Sequence, residues 1–244
     1  MARFFITASN IFGGIAYIRG DDLEHMKVLR IKNGELFTVC DGAGHDYTCK
    51  IKTGDGECVE AEVVDISPTV SEPSVKVSVY AAFSKGDKAE TVIQKAVEIG
   101  AYEIVLFPSS RCVAKYDDKT LSKKLTRWQK ISLEAAKQSG RGIIPVVKAA
   151  SSFDLAMDMA SGADLPLFLY EEERELGLKQ ALESCPDAKT ISIVTGPEGG
   201  FEPDEVLAAK EMGLISVSMG KRILRCETAP ICALSAVMLF TNNL

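Results

Sequence analysis

The chain has 244 residues with a formal net charge of −6, nearly half its residues apolar and a quarter charged. That balance excludes a disordered tail or a fibrous repeat and fits one large domain, or one ordinary and one small domain. No apolar run reaches membrane-spanning length, and Met1–Asn10 lacks the apolar core of a secretory signal, so a cytoplasmic protein without membrane attachment is expected.

In chain order, the first predicted element is a helix over Asp21–Leu29, with Asp21 or Asp22 as its N-cap. Strands follow at Gly34–Cys40, His45–Lys52 and Cys58–Ile66, with Asp41-Gly42-Ala43-Gly44 as the first turn. Asp-Gly punctuation between alternating runs predicts a small antiparallel β unit, a barrel. Ser67–Ser74, with two prolines and three serines, reads as a linker. The expected domains are therefore 1–70 and 74–244.

Beyond the linker, strands and helices alternate. Strands are predicted at Val75–Ala82, Glu103–Phe107, Ile144–Val147, Leu165–Tyr170, Ile191–Val194 and Leu214–Val217. Helices are predicted at Asp87–Ile99, Thr120–Gln138, Ser152–Ala160, Glu175–Glu183, Pro203–Met212 and Thr228–Thr241. Alternation of this kind predicts an α/β domain, a parallel sheet covered by helices on both faces.

Seven cysteines, an odd number without a Cys-x-x-Cys pair, read as reduced thiols, Cys40, Cys49 and Cys58 among them. Only His25 and His45 are histidines, so no metal site is expected. The acidic average hides an uneven distribution. Residues 109–150 hold ten Lys/Arg against three acids, whereas 151–215 hold fourteen acids against four bases. The basic stretch could meet phosphate or simply form a solvated helix face.

Two loops carry the strongest signal. Thr195-Gly196-Pro197-Glu198-Gly199-Gly200-Phe201 and Met219-Gly220-Lys221-Arg222-Ile223-Leu224-Arg225-Cys226-Glu227-Thr228-Ala229-Pro230 each follow a short apolar strand and precede a helix. Glycine loops at strand ends expose main-chain N–H and C=O groups to a nucleoside. No Gly-x-x-x-x-Gly-Lys-Ser/Thr occurs, so a P-loop is excluded at motif level, and Ala81–Gly86 after the first α/β strand is not glycine-rich, so a dinucleotide dehydrogenase loses its main support.

These paired loops resemble the RsmE group of SPOUT methyltransferases. His25-Met26-Lys27-Val28-Leu29-Arg30, Lys85-Gly86-Asp87, Gln94-Lys95-Ala96, Ser110-Arg111, Arg127-Trp128 and Glu134–Arg141 extend the likeness over nearly the whole chain. The resemblance implies a PUA-like RNA-binding β-barrel, then a parallel-sheet domain of the SPOUT type with a C-terminal trefoil knot. It further implies S-adenosylmethionine as methyl donor, N3 of a uridine in 16S, small-subunit, ribosomal RNA as acceptor, and a homodimer. Ribose 2′-O methylation within the same superfamily, or a non-catalytic ribosome-assembly module, are the alternatives.

Under that resemblance the cofactor residues are Leu169, Tyr170, Thr195, Gly196, Pro197, Glu198, Gly199, Gly200, Met219, Gly220, Ile223, Leu224, Arg225, Glu227, Thr228 and Ala229. Arg225 is the expected cation beside the base carbonyls, with a phosphate contact or an ion pair as the other reading. Glu198 is the candidate proton acceptor, or else a loop glutamate satisfying amides. Thr228 is read as the N-cap of the last helix. His25, Lys27, Arg30, Arg111, Lys115 and Arg127 are the candidate RNA contacts, and Trp128 reads as core more readily than as a stacking platform.

Overall fold

A computed structural model describes residues 3–244; the first two residues of the expected 1–70 domain lie outside them. The chain divides into two compact units, Met1–Glu72 with Ala136–Ile144, and Pro73–Ala135 with Pro145–Leu244.

The first unit holds β1 (Arg3–Phe5), β2 (Ile11–Phe12), β3 (Ile15–Arg19), α1 (Gly20–Leu29), β4 (Leu36–Cys40), β5 (His45–Gly54) and β6 (Cys58–Pro68). Its six strands run in the order β1-β4-β5-β6-β3-β2. Alternation places Ala16 and Ile18 of β3, and Phe37 and Val39 of β4, in the core beside Phe4, while Tyr17 and Thr38 are less buried. Two register shifts in the long β5–β6 pair, at Thr48/Cys49 and Ile51/Thr53, bend that ribbon.

Three expectations change here. The unit is mixed rather than purely antiparallel, because β1 pairs in parallel with β4. Ser67 and Pro68 belong to β6, not to a linker; Pro68 is tolerated because it is the strand's last residue, opposite His45. And α1 starts at Gly20 with Arg19 in the cap position, so Asp21 and Asp22 occupy the first turn instead. There they still favour the positive helix end, and Asp22 pairs with Lys137 at 2.9 Å.

A polar cluster fastens this unit. Arg3 donates to Asp46 at 2.9 and 2.6 Å, and Thr69 Oγ1 donates to Asp46 at 2.6 Å. Burial pushes the Asp46 carboxyl up, but the bonds from Arg3, Thr69 and Cys40 outweigh it and hold the carboxyl below its ordinary range. A depressed carboxyl stabilises the fold above its unfolded pKa, and that contribution is lost as pH falls through the folded value. We expect Asp46→Asn to cost about 1–3 kcal/mol in urea unfolding at pH 7, with the gap to wild type closing at an acid pH that protonates the folded carboxyl, below the ordinary carboxylate range. An equal gap at both pH values would show that the charge is irrelevant.

The second unit holds β7 (Lys76–Ala82), α2 (Lys88–Ile99), β8 (Glu103–Phe107), α3 (Asp118–Ser139), β9 (Val146–Ala149), α4 (Phe153–Ser161), β10 (Leu165–Leu169), α5 (Leu178–Ser184), β11 (Thr190–Thr195), α6 (Pro203–Glu211), β12 (Ile215–Val217) and α7 (Thr228–Phe240). The last residues of α3 group with the first unit. The sheet is wholly parallel, ordered β12-β10-β11-β7-β8-β9. Every residue of β10 and five of six in β11 are buried, as strands covered on both faces require. Helix α7 packs on α2, β7 and β11, and α4 on α6 and the central strands.

Two boundaries move for local reasons. Pro145 has no N–H to give to a ladder, and its carbonyl accepts from Ser132 and Gln129, so β9 starts at Val146 rather than Ile144. Glu175–Gly177 is not helical; α5 begins at Leu178, after the chain is pinned alongside Ser218. No helix among the described residues is long and apolar enough to cross a membrane.

Candidate active site

Strand β10 lies between β12 and β11, so the loops leaving these three strands emerge side by side at their C-terminal ends. This is where open parallel sheets bind small molecules. The loop after β10 is tied to the one after β12: Tyr170 N–H donates to Val217 O at 3.1 Å, Ser218 N–H to Leu176 O at 2.8 Å, and Leu178 N–H to Ser218 O at 3.0 Å. Between the loops opens a cavity of about 930 Å³, within the range of cofactor-sized clefts.

Each loop contributes to its wall. Leu169 and Tyr170 come from the first, Thr195, Gly196, Pro197, Glu198 and Gly200 from the second, and Met219, Gly220, Ile223, Leu224, Arg225 and Ala229 from the third. Three of the residues expected there do not line the cavity: Gly199, Glu227 and Thr228. Gly199 instead accepts from Arg111, Glu227 holds the cap position of α7, and Thr228 is the first helical residue rather than the cap. The Glu227 side chain makes no cap bond; the Arg225 carbonyl turns back to accept from Thr228 N–H (2.8 Å) and Ala229 N–H (2.9 Å).

The second loop needs its glycines for specific reasons. Gly200 has φ +69°, and a Cβ there would strike the Glu171 carboxylate. At Gly196 a Cβ would meet the Phe201 ring at 3.1 Å. That ring packs against Phe168 of β10 at 4.4 Å between centroids, forming an apolar floor beneath the loops.

The two residues singled out for chemistry differ in setting. Arg225 is exposed on the cavity wall, and its guanidinium has no ion-pair partner among the described residues. Glu198 accepts two bonds on the same oxygen: Lys85 N–H to Oε1 at 3.0 Å and Lys88 Nζ to Oε1 at 2.9 Å. No other described residue donates to its Oε2; the Glu198 N–H itself also helps hold the carboxyl down. Burial raises the Glu198 carboxyl, but Lys88 and the backbone donors more than offset this, and it titrates below the ordinary range. It is therefore ionised at neutral pH and a weak base. Its bond to a main-chain amide is the loop-satisfying role; the open Oε2 leaves the acceptor role available.

Sequence reasoning missed Lys88 and the acidic run Glu171, Glu173 and Glu175, all of which line the cavity. Lys88 stands one residue beyond Lys85-Gly86-Asp87, a motif already marked by the resemblance. The resemblance pointed to the loop after Tyr170, but its acids Glu171–Glu175 were visible only as excess negative charge.

The candidate RNA residues fall into separate settings. In the first unit, Lys27 and Arg30 line a groove of about 660 Å³, Arg30 in the left-handed region at φ 53°. Nearby, His25 packs edge-on to Phe4. In the second unit, Arg111 is occupied within its own unit, with two bonds to Glu202 (2.7 and 2.8 Å) and one to Gly199 O (3.0 Å). Arg127 pairs with Glu90 at 2.7 Å, whereas Lys115 is exposed without an ion pair among the described residues. Trp128 is core, 1% exposed.

Comparison with known proteins places this geometry. Residues 71–238 match the family described as an RNA methyltransferase domain, and residues 18–64 the RNA methyltransferase PUA domain. The chain is 35% identical to ribosomal RNA small subunit methyltransferase E of Bacillus subtilis, over 100% of its own length and 98% of that relative's. Identity to the Mycobacterium tuberculosis protein of the same name is 32%, over 98% and 92%. The crystal structure of ribosomal RNA small subunit methyltransferase E from Neisseria gonorrhoeae, bound to S-adenosyl methionine, superposes with a TM-score of 0.83 at 30% identity. That superposition covers 98% of this chain and 97% of the other. A putative methyltransferase from Legionella pneumophila, in complex with SAM, gives 0.84 at 27% identity, over 97% and 96%.

Proposed function

Because this chain belongs to the ribosomal RNA small subunit methyltransferase E family, we propose that it methylates N3 of a uridine in 16S ribosomal RNA. It is an RNA methyltransferase, and S-adenosylmethionine is its methyl donor. The observation that carries the assignment of the site is the cavity walled by the loops after β10, β11 and β12.

The residues present fit that cofactor. Main chain at Gly196 and Gly220 lets a nucleoside approach closely, Leu169 and Leu224 offer apolar contact, and Glu171, Glu173 and Glu175 complement a cationic guest. When bound, the cofactor supplies a methyl group on a sulfonium, already electrophilic; the protein's main task is alignment.

A uridine N3 carries a proton at neutral pH, and that proton must leave as the new bond forms. Arg225, on the cavity wall with no salt bridge among the described residues although its charge is felt by Glu227, is suited to stabilise the negative charge that spreads onto the base carbonyls. Glu198 presents Oε2 as an ionised acceptor for the proton, directly or through water. The base must be unpaired or flipped, since Watson–Crick pairing blocks N3.

We assign residues 1–70 to RNA binding through the PUA-like barrel and 74–244 to methyl transfer, with the C-terminal segment threaded as a trefoil knot. His25, Lys27 and Arg30 are the contacts assigned to the barrel, with Lys115 and Arg127 in the basic stretch; Arg111 would first have to leave Glu202. A homodimer acting in the cytoplasm on small-subunit RNA completes the proposal, two-fold pairs being the commonest symmetric assembly.

Titration calorimetry separates an enzyme from a non-catalytic module. S-adenosylmethionine and S-adenosylhomocysteine should both bind, and Gly200→Val should weaken each at least about tenfold through backbone strain. No heat with either ligand would favour the module.

A further inference from the structure

Lys88, the first residue of α2, stands where both glycine-loop segments can be held at once. Its Nζ lies 2.9 Å from Glu198 Oε1, in the loop after β11, and 3.9 Å from Glu227 Oε2, in the segment before α7. It also lines the cavity. Among the described residues no other side-chain cation forms an ion pair with either of these carboxylates.

We propose that Lys88 is a positioning residue for methyl transfer, fixing Glu198 through Oε1 so that Oε2 remains an open, ionised acceptor while the two loops are held together. This rests on the assignment of the cavity as the methyl-transfer site. The geometry is economical: the Lys85 N–H and the Lys88 ammonium both bind Oε1, so neither competes for the second oxygen. An ammonium carries three donors, and only one is used on Glu198.

The groups facing Glu198 define what Lys88 opposes. Cys226 comes from the segment before α7, and Cys112 and Tyr116 from the segment after β8; Glu227 meets the same ammonium at 3.9 Å. Burial raises Glu198, and the Cys226 thiol stays neutral, pushed up to about 11 chiefly by burial. Lys88 is the cation that reverses this balance at Glu198. Its removal should therefore raise the Glu198 carboxyl, moving the loss of its ionised form to higher pH.

The test reads Glu198 directly. The carboxyl carbon of Glu198, labelled with carbon-13 and assigned by comparison with Glu198→Gln, is titrated by NMR in wild type, Lys88→Met and Lys88→Arg. We expect the midpoint to rise by at least about one pH unit in Lys88→Met and to return towards wild type in Lys88→Arg. Where methylation is measured, the acid limb of kcat should move in the same direction. A Lys88→Met midpoint equal to wild type, in a folded protein as judged by S-adenosylmethionine binding or by its NMR spectrum, overturns the proposal. Should Lys88→Met not fold, Lys88→Arg and Lys88→Gln decide, and a Lys88→Gln midpoint no higher than that of Lys88→Arg overturns it equally. The carboxyl titration does not depend on turnover. A wild type that fails to methylate RNA would thus sink the functional assignment while leaving the Lys88–Glu198 result readable.

Discussion

Arg225→Ala is expected to lower kcat on small-subunit RNA about 10²–10³-fold while changing S-adenosylmethionine affinity by less than about threefold. The split follows from where Arg225 stands. Its main chain is committed to the start of α7, where its carbonyl accepts from Thr228 and Ala229, and alanine preserves those bonds. Its guanidinium, by contrast, has no ion-pair partner among the described residues, so truncation leaves no buried charge unpaired. What is lost is a cation able to meet charge that develops only as N3 gives up its proton. Lys at this position should recover part of the rate, since a point charge remains but the planar fork is gone. Single-turnover methyl transfer, with cofactor binding measured separately, checks both halves. An unchanged rate would remove Arg225 from the chemistry, and a matching loss of cofactor affinity would make it a binding residue instead.

Phe168→Ala is expected to be the most damaging core change near the site, costing about 3–5 kcal/mol in urea unfolding. Phe168 sits in β10, between β12 and β11, 1% exposed, and packs on Phe201 at 4.4 Å. Phe201 in turn touches Phe153 at 6.1 Å and limits the room at Gly196. Removing the ring opens a cavity under the loops, so cofactor affinity should fall along with stability. Phe168→Leu, which keeps most of the volume, should cost clearly less. A stable Phe168→Ala protein with wild-type cofactor affinity would show that the loops do not depend on this floor.

Much of the second unit was legible because its signals are local. Runs such as Leu165–Leu169 and Ile191–Val194 are apolar at nearly every position, the mark of strands buried on both faces. The glycine loops stood out because a backbone that must approach a ligand or adopt φ +69° restricts residue choice, as at Gly200. The first unit was harder to read. Strands β1 and β2 are three and two residues long, too short to show alternation, and Phe12 is exposed. The parallel pairing of β1 with β4 joins Arg3 to Thr38, a relation that no local pattern encodes.

The same distinction separates the site residues that were found from those that were missed. Lys88 meets Glu198 across 110 positions and Arg111 meets Glu202 across 91, so each pairing is fixed by sheet order rather than by spacing. Arg111 illustrates the cost: read alone it is a free arginine after a strand, whereas the fold commits it to the glycine loop. At Thr228 a preference for capping residues pointed one position too far, because the Arg225 carbonyl, not a side chain, satisfies the first amides of α7.

The most direct measurement is nucleoside mass spectrometry of small ribosomal subunits incubated with the purified protein and methyl-labelled S-adenosylmethionine. Label is expected in N3-methyluridine, at most about one mole per mole of subunit, and formed about 10²–10³-fold more slowly when Arg225→Ala replaces wild type. Label in a 2′-O-methyl nucleoside, or none at all despite cofactor binding, would contradict the N3 assignment.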